Sequence, residues 1–329
     1  MSLEPELKTR IEELEIQCGL KVKPNEPLSR YCSARIGGTA EYLLEVTTAA
    51  QLAKVITVIW NNQIPYILLG SGSNVLISDR GLSGLVVINR ARGRGRIKVT
   101  ETDESVAIWA ESGVNLGTVA RLAAENGLSG LEWAVGIPGT IGGAVVNNAG
   151  AFDGDIAHSL IVAEILQRIG EPVSEIVLRQ RWTVADFEYS YRNSRLKRQH
   201  EAIVVLGANL KVWKSDVDIV KAKMNEFNER RKNSQPAGAS MGSIFKNPVG
   251  DYAGRLIEEA GLKGRRVGGA QISPAHANFI VNNGNACAQD VYELIQMARD
   301  TVYERFGVTL ELEIQILGDF LQIEKRTVN

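Results

Sequence analysis

Two stretches of this chain combine residue types and spacings that suit ligand binding. The first is Gly136-Ile-Pro-Gly-Thr-Ile-Gly-Gly-Ala-Val-Val-Asn-Asn-Ala-Gly150, continuing to Gly154. Its six glycines are interleaved with Ile, Val and Ala, where a flexible linker would carry Ser or charge. Glycine permits positive φ and close backbone approach. Asn147 and Asn148 add amide donors and acceptors in the middle. Such a surface can wrap a flat ligand with polar edges, a nucleotide or a flavin; the other reading is a set of tight turns between packed strands. The second stretch is Gly70-Ser-Gly-Ser-Asn74. It lacks the Gly-Lys-Ser/Thr ending of a P-loop and the third glycine and helix of a dinucleotide fingerprint. Successive N–H groups in such a turn can still form an anion nest, with Ser71, Ser73 and Asn74 adding donors. A pyrophosphate would fit there, and so would a plain hairpin loop.

Single residues add to these. Arg192 lies in Phe187-Glu-Tyr-Ser-Tyr-Arg-Asn-Ser194, where aromatic rings can hold a guanidinium that would otherwise be solvated. Ser243 follows Gly242 without a Gly-x-Ser-x-Gly elbow, so a triad hydrolase is not indicated. The 263–269 segment is basic and glycine-rich and suits phosphate. Glu313 falls on the polar side of a final strand, whose default reading is a solvated face.

The elements that must position these residues follow from periodicity. Helices are expected over 2–18, 49–62, 115–126, 217–232, 252–260 and 290–306, each with apolar residues three and four apart. Strands are expected at 65–69, 75–78, 84–89, 105–110, 160–169, 176–178, 203–206, 277–281 and 308–317. In the last, Leu310, Leu312, Ile314 and Ile316 alternate with Glu311, Glu313 and Gln315.

The 329 residues, 44% hydrophobic and 23% charged, supply real cores for two or three domains. A formal net charge of -1 gives no nucleic-acid surface. There is no signal pattern at the N-terminus, no run of membrane-helix length, and no metal or disulfide spacing among the cysteines. The expectation is a cytoplasmic monomer without metal, nucleic-acid or membrane partners.

Six motifs then occur in order between Leu28 and Leu317: Gly37-Gly38, the 70–76 loop, the 136–143 glycine stretch, Tyr191-Arg-Asn-Ser194, Gly242-Ser-Ile-Phe-Lys-Asn-Pro248 and Leu310-Glu-Leu-Glu-Ile314. Together they resemble the UDP-N-acetylenolpyruvoylglucosamine reductase (UDP-N-acetylmuramate dehydrogenase) family. The resemblance implies an α+β fold. An FAD-binding domain of the vanillyl-alcohol-oxidase type would comprise residues 1–90, with the N-terminal helix, and 91–215. A C-terminal α+β substrate domain would span 216–329. It implies bound FAD, NADPH as hydride source, and reduction of UDP-N-acetylglucosamine enolpyruvate to UDP-N-acetylmuramate in peptidoglycan precursor synthesis.

Carried over residue by residue, Gly70, Ser71, Gly72, Ser73, Asn74, Val75 and Leu76 would cradle the FAD pyrophosphate. Gly136, Pro138, Gly139, Thr140, Gly142, Gly143, Asn147 and Gly150 would line the flavin and the rest of the cofactor, with Ile156 near the adenosine end. Hydride would pass from flavin N5 to C3 of the enolpyruvyl group. Arg192 and Glu313 would stabilise the charge on the carboxylate and C2, and Ser243 would protonate C2. Tyr191, Arg230, Arg231, Lys246, Asn247, Lys263, Gln271 and Asn278 are the candidates for holding the sugar nucleotide.

Three departures stand out. Cys32-Ser33-Ala34 replaces hydroxyl and aromatic positions ahead of Gly37, and Gln315 stands where many members carry Arg. The C-terminal region lacks a long insertion with a clamping tyrosine, which resembles the family's shorter, second type. The rival reading is an FAD oxidase of the same fold using oxygen; it would lose the 242–248 motif.

Overall fold

The apolar stripe Leu52, Val55, Ile56 and Ile59 is fully buried in the helix Ala49–Asn61, whose N-cap Thr48 accepts the Gln51 N–H at 3.0 Å. This and the elements below come from a computed structural model that describes residues 4–92, 96–101, 106–170, 176–199 and 201–321. Residues 2 and 3 of the expected first helix, and Ser105 of the expected 105–110 strand, lie outside them. The chain divides into two compact units.

The first unit comprises Met1–Lys23, Leu43–Ser71 and Gly84–Arg231. Its main sheet orders the strands Ile176–Trp182, Leu160–Ile169, Ile203–Lys214, Val106–Glu111 and Ile97–Glu101, antiparallel throughout. Leu128–Ser129 pairs with the far end of Ile203–Lys214. The helices Leu116–Glu125 and Ile141–Asn147 contribute Val119, Ala120, Ile141 and Val145 to the core that also holds Ile108, Ile165, Ala208 and Leu210 of the sheet. In a second, four-stranded sheet Tyr66–Leu69 pairs in parallel with the 85–88 part of Leu82–Asn89.

The second unit comprises Pro24–Tyr42, Gly72–Ser83 and Lys232–Asn329. It holds an antiparallel sheet in the order Ala239–Ser243, Phe279–Asn282, Ala270–Ile272, Arg266–Val267. The helix Ala288–Phe306 buries Val291, Leu294, Ile295, Ala298 and Val302 and stops at Gly307, whose φ of 67° is the left-handed cap glycine favours. Val75–Ile77 pairs in parallel with Gln315–Leu317.

Ile97–Glu101, Ala239–Ser243, Arg266–Val267 and Ala270–Ile272 are strands beyond those expected, Ile176–Trp182 and Ile203–Lys214 run past their expected ends, and two elements that carry site residues also differ. The glycine stretch contains the helix Ile141–Asn147, which Gly142 and Gly143 disguise because glycine is a poor helix former. The expected 308–317 strand forms a ladder only at Gln315–Leu317. Its alternation is real, with Leu310 and Ile314 buried and Glu311 and Gln315 exposed. Its earlier partners are single groups: Lys246 N–H donates to Glu311 O and Glu313 N–H to Ile244 O, both at 2.8 Å, around an isolated Phe245–Leu312 bridge.

Candidate active site

In the first unit the glycine stretch is fixed by its backbone. Leu116 N–H donates to Gly139 O at 3.0 Å, Ile141 N–H to Val114 O and Gly142 N–H to Ser112 O at 2.8 Å. Thr140 caps the helix, its Oγ1 accepting Gly143 N–H at 3.4 Å. A Cβ on Gly142 would stand 3.0 Å from Ser112 Cβ, and one on Gly70 would overlap Thr140 Oγ1. Gly136, Pro138 and Gly143 are exposed along this surface. Asn147 donates Nδ2–H to Gly143 O at 2.8 Å, while its buried Oδ1 has no partner among the described residues. Gly150 pairs with Asp155 in a tight hairpin. Ile156 is fully buried and gives its N–H to Ala149 O, which makes its side chain part of the core.

The 189–194 segment is pinned to the end of this helix. Tyr189 Oη donates to Val145 O at 2.9 Å, Ser194 Oγ to Val146 O at 2.6 Å and Asn148 Nδ2 to Ser190 O at 3.1 Å. Arg192, with φ of 54°, donates Nη2–H to Gly150 O at 2.6 Å and Nη1–H to Asn148 O at 3.4 Å. Of the three nearby aromatics, Tyr191 sits over the guanidinium, 5.5 Å from the ring centroid, whereas Phe187 and Tyr189 stack on each other.

Arg231 completes this surface. Its guanidinium lies 5.0 Å from the centroid of Phe152, which Arg230 also covers at 5.5 Å. Phe152 stacks on Phe227 at 4.4 Å. A Cβ on Gly136 would stand 2.9 Å from Arg231 Cδ, so the glycine makes room for the arginine. Arg231 Nε and Nη2 are buried without hydrogen-bond partners among the described residues. Burial, and then the charge of Arg192, push the Arg231 pKa down to about 10. No motif marks Phe152; its role as a platform was not legible in the sequence.

In the second unit, Gly72 has φ of 60°, and a Cβ there would overlap Tyr31 O. Ser33 N–H donates to Gly72 O at 3.1 Å. Asn74 donates Nδ2–H to Glu313 O at 3.1 Å and accepts Gln315 N–H at 2.9 Å. Val75 and Leu76 are buried strand residues. Gly242, with φ of 78°, breaks the register between Ser240 and Ser243, a bulge that re-aims the half-buried Ser243.

Among the substrate candidates, Lys246 Nζ lies 3.2 Å from Glu311 Oε2 and Lys263 Nζ 2.7 Å from Glu258 Oε1. Asn247 Oδ1 accepts Ala253 N–H at 3.1 Å. Gln271 donates to Gly264 O at 3.0 Å. Asn278 is buried, with both ends of its amide on the backbone of Phe245, at 2.9 and 2.8 Å. These bonds give Asn278 the job of holding the segment that carries Ser243.

Each unit by itself offers groups that fit FAD. In the first, the bare backbone at Gly136–Gly143 accepts a flat group closely and the unpartnered Asn147 Oδ1 suits an N–H or O–H donor; in the second, the Gly72 turn suits an anion.

Comparisons with known proteins agree. The sequence model of an FAD-binding domain matches residues 40–174. That of the UDP-N-acetylenolpyruvoylglucosamine reductase C-terminal domain matches 234–317. The UDP-N-acetylenolpyruvoylglucosamine reductase of Chloroflexus aggregans is 43% identical over 91% of this chain and 98% of its own. That of Caldicellulosiruptor bescii is 44% identical over 92% of each. The crystal structure of the Thermus caldophilus enzyme superposes with a TM-score of 0.71 at 35% identity, covering 91% of this chain and 99% of that one. Fold and site thus define an α+β flavin-dependent oxidoreductase with an FAD-binding domain of the vanillyl-alcohol-oxidase type. The chain belongs to the UDP-N-acetylenolpyruvoylglucosamine reductase family.

Proposed function

We propose that the protein reduces UDP-N-acetylglucosamine enolpyruvate to UDP-N-acetylmuramate, with NADPH as reductant. The observation that carries this reading is the half-buried Arg231 guanidinium, whose Nε and Nη2 have no hydrogen-bond partner among the described residues and whose pKa burial, and then the Arg192 charge, lower. Two cations so arranged call for a multiply charged anion, and this substrate brings a diphosphate and a carboxylate.

Bound FAD supplies the hydride that adds to C3 of the enolpyruvyl group. Arg192 offsets the negative charge that builds on the carboxylate and C2, held in orientation by its bonds to Gly150 O and Asn148 O. Ser243 gives its proton to C2; a hydroxyl is a weak acid and serves only a carbanion-like carbon. Glu313 acts at the carboxylate through a hydrogen bond. Hydride at C3 and proton at C2 complete the lactyl ether. Arg230, Arg231, Tyr191 and Lys246 bind the sugar nucleotide, and the 70–76 and 136–150 stretches bind FAD. Residues 1–90 and 91–215 act as two FAD-binding subdomains and 216–329 as the substrate domain; the separate sheets of the first unit support the first division. The enzyme works as a monomer in the cytoplasm, and no helix among the described residues is long and apolar enough to cross a membrane.

The purified protein is expected to be yellow. Anaerobic NADPH should bleach the flavin band, and the sugar nucleotide should restore it far faster than oxygen does. Fast recovery with oxygen and none with the sugar nucleotide would replace this reading with an oxidase.

A further inference from the structure

The peptide groups of Glu313 are held on both sides. Its N–H donates to Ile244 O at 2.8 Å, one residue beyond Ser243. Its carbonyl accepts Nδ2–H of Asn74 at 3.1 Å. Asn74 also accepts Gln315 N–H on its own carbonyl at 2.9 Å, so one residue grips both neighbours of the buried Ile314. The parallel ladder of Val75–Ile77 with Gln315–Leu317 begins immediately afterwards. The Asn74 side chain therefore supplies a rung where the chain has just left the Gly72 turn.

We propose that Asn74 is a positioning residue for Glu313: its amide fixes the peptide from which the Glu313 carboxyl projects. This rests on the assignment of Glu313 to the reaction. This bond uses one of the two N–H donors of the Asn74 amide and leaves the other for the FAD pyrophosphate. With both peptide groups bonded, the backbone from which the Glu313 side chain projects is fixed. Releasing the carbonyl frees the Cα as well, and small misplacements of a reacting group are costly in rate.

Asn74→Asp tests this, because it keeps the shape and replaces the donor by an acceptor; Asn74→Ala, which adds no charge, is the second variant. Each half-reaction is followed by stopped flow on the FAD-loaded enzyme. Both variants should slow flavin reoxidation by the sugar nucleotide roughly tenfold to a hundredfold. Rates are taken per bound flavin, because Asn74 lies in the FAD-binding 70–76 stretch, and reduction by NADPH should slow much less than reoxidation. In a Glu313→Ala background the same changes should add almost nothing, because the route through Glu313 is already gone. Effects that multiply across the two positions, or that slow the two half-reactions equally, would overturn the proposal. A wild-type enzyme that the sugar nucleotide does not reoxidise would instead sink the reaction itself, and the proposal with it.

Discussion

Gly70 packs against the side chain of Thr140 so closely that a Cβ on the glycine would overlap Thr140 Oγ1 and stand 3.0 Å from Cγ2. The first residue of one glycine stretch is thus fitted to the helix cap of the other. Gly70→Ala should purify with a clearly lower flavin-to-protein absorbance ratio. Adding Thr140→Ala removes the colliding atoms and should restore part of the flavin, although losing the cap costs about 1 kcal/mol. Equal flavin in Gly70→Ala and wild type would show that this contact does not shape the cofactor site.

Arg231 links anion binding to stability. Its pKa is lowered to about 10, so the native protein holds this proton less tightly than the unfolded chain does. The charge is therefore a stability penalty at neutral pH. Arg231→Met should raise the Tm of the substrate-free protein by about 2–4 °C, equivalent to roughly 1 kcal/mol. It should also raise KM for the sugar nucleotide roughly tenfold to a hundredfold, with kcat less affected.

What was legible in the sequence was whatever local pattern dictates. The stripe of the 49–61 helix, the capped 116–125 helix and the inward residues of 288–306 follow from spacing alone. The 141–147 helix did not, because it is held by Thr140 and by packing on Ser112 and Val114, both distant in sequence. Arg192 was legible as a charge among aromatics. Its actual restraint, two carbonyls of the glycine stretch, is tertiary. Asn278 and Gln271 were candidates for holding the sugar nucleotide, and only the fold shows their bonds to the Phe245 and Gly264 backbones. The Gly136–Arg231 approach carries no local signature either.

Ser243 follows a positive-φ glycine and a break in strand register. If it delivers the proton to C2, its hydroxyl matters only after the flavin has been reduced. Ser243→Ala should leave reduction by NADPH nearly intact and slow reoxidation by the sugar nucleotide by about two orders of magnitude or more. Equal losses in the two half-reactions would assign the residue to packing instead.

Cys32 lies beneath the second glycine of the 70–76 loop: a Cβ on Gly72 would stand 2.9 Å from Cys32 Cα. The side chain is buried, and burial pushes its thiol up to about 12 from an ordinary 9.0. It should therefore stay protonated in the native state and resist alkylation, while the exposed Cys287 reacts first and Cys32 reacts only on unfolding. The sign of the linkage follows. A folded pKa above the unfolded one contributes stability that is complete below pH 9.0 and is lost as pH rises towards about 12. Cys32→Ala keeps a small apolar side chain and removes the titration. Its urea midpoint should therefore fall less between about pH 8 and about pH 10.5 than that of the wild type. Parallel declines in the two proteins would locate the alkaline loss of stability elsewhere.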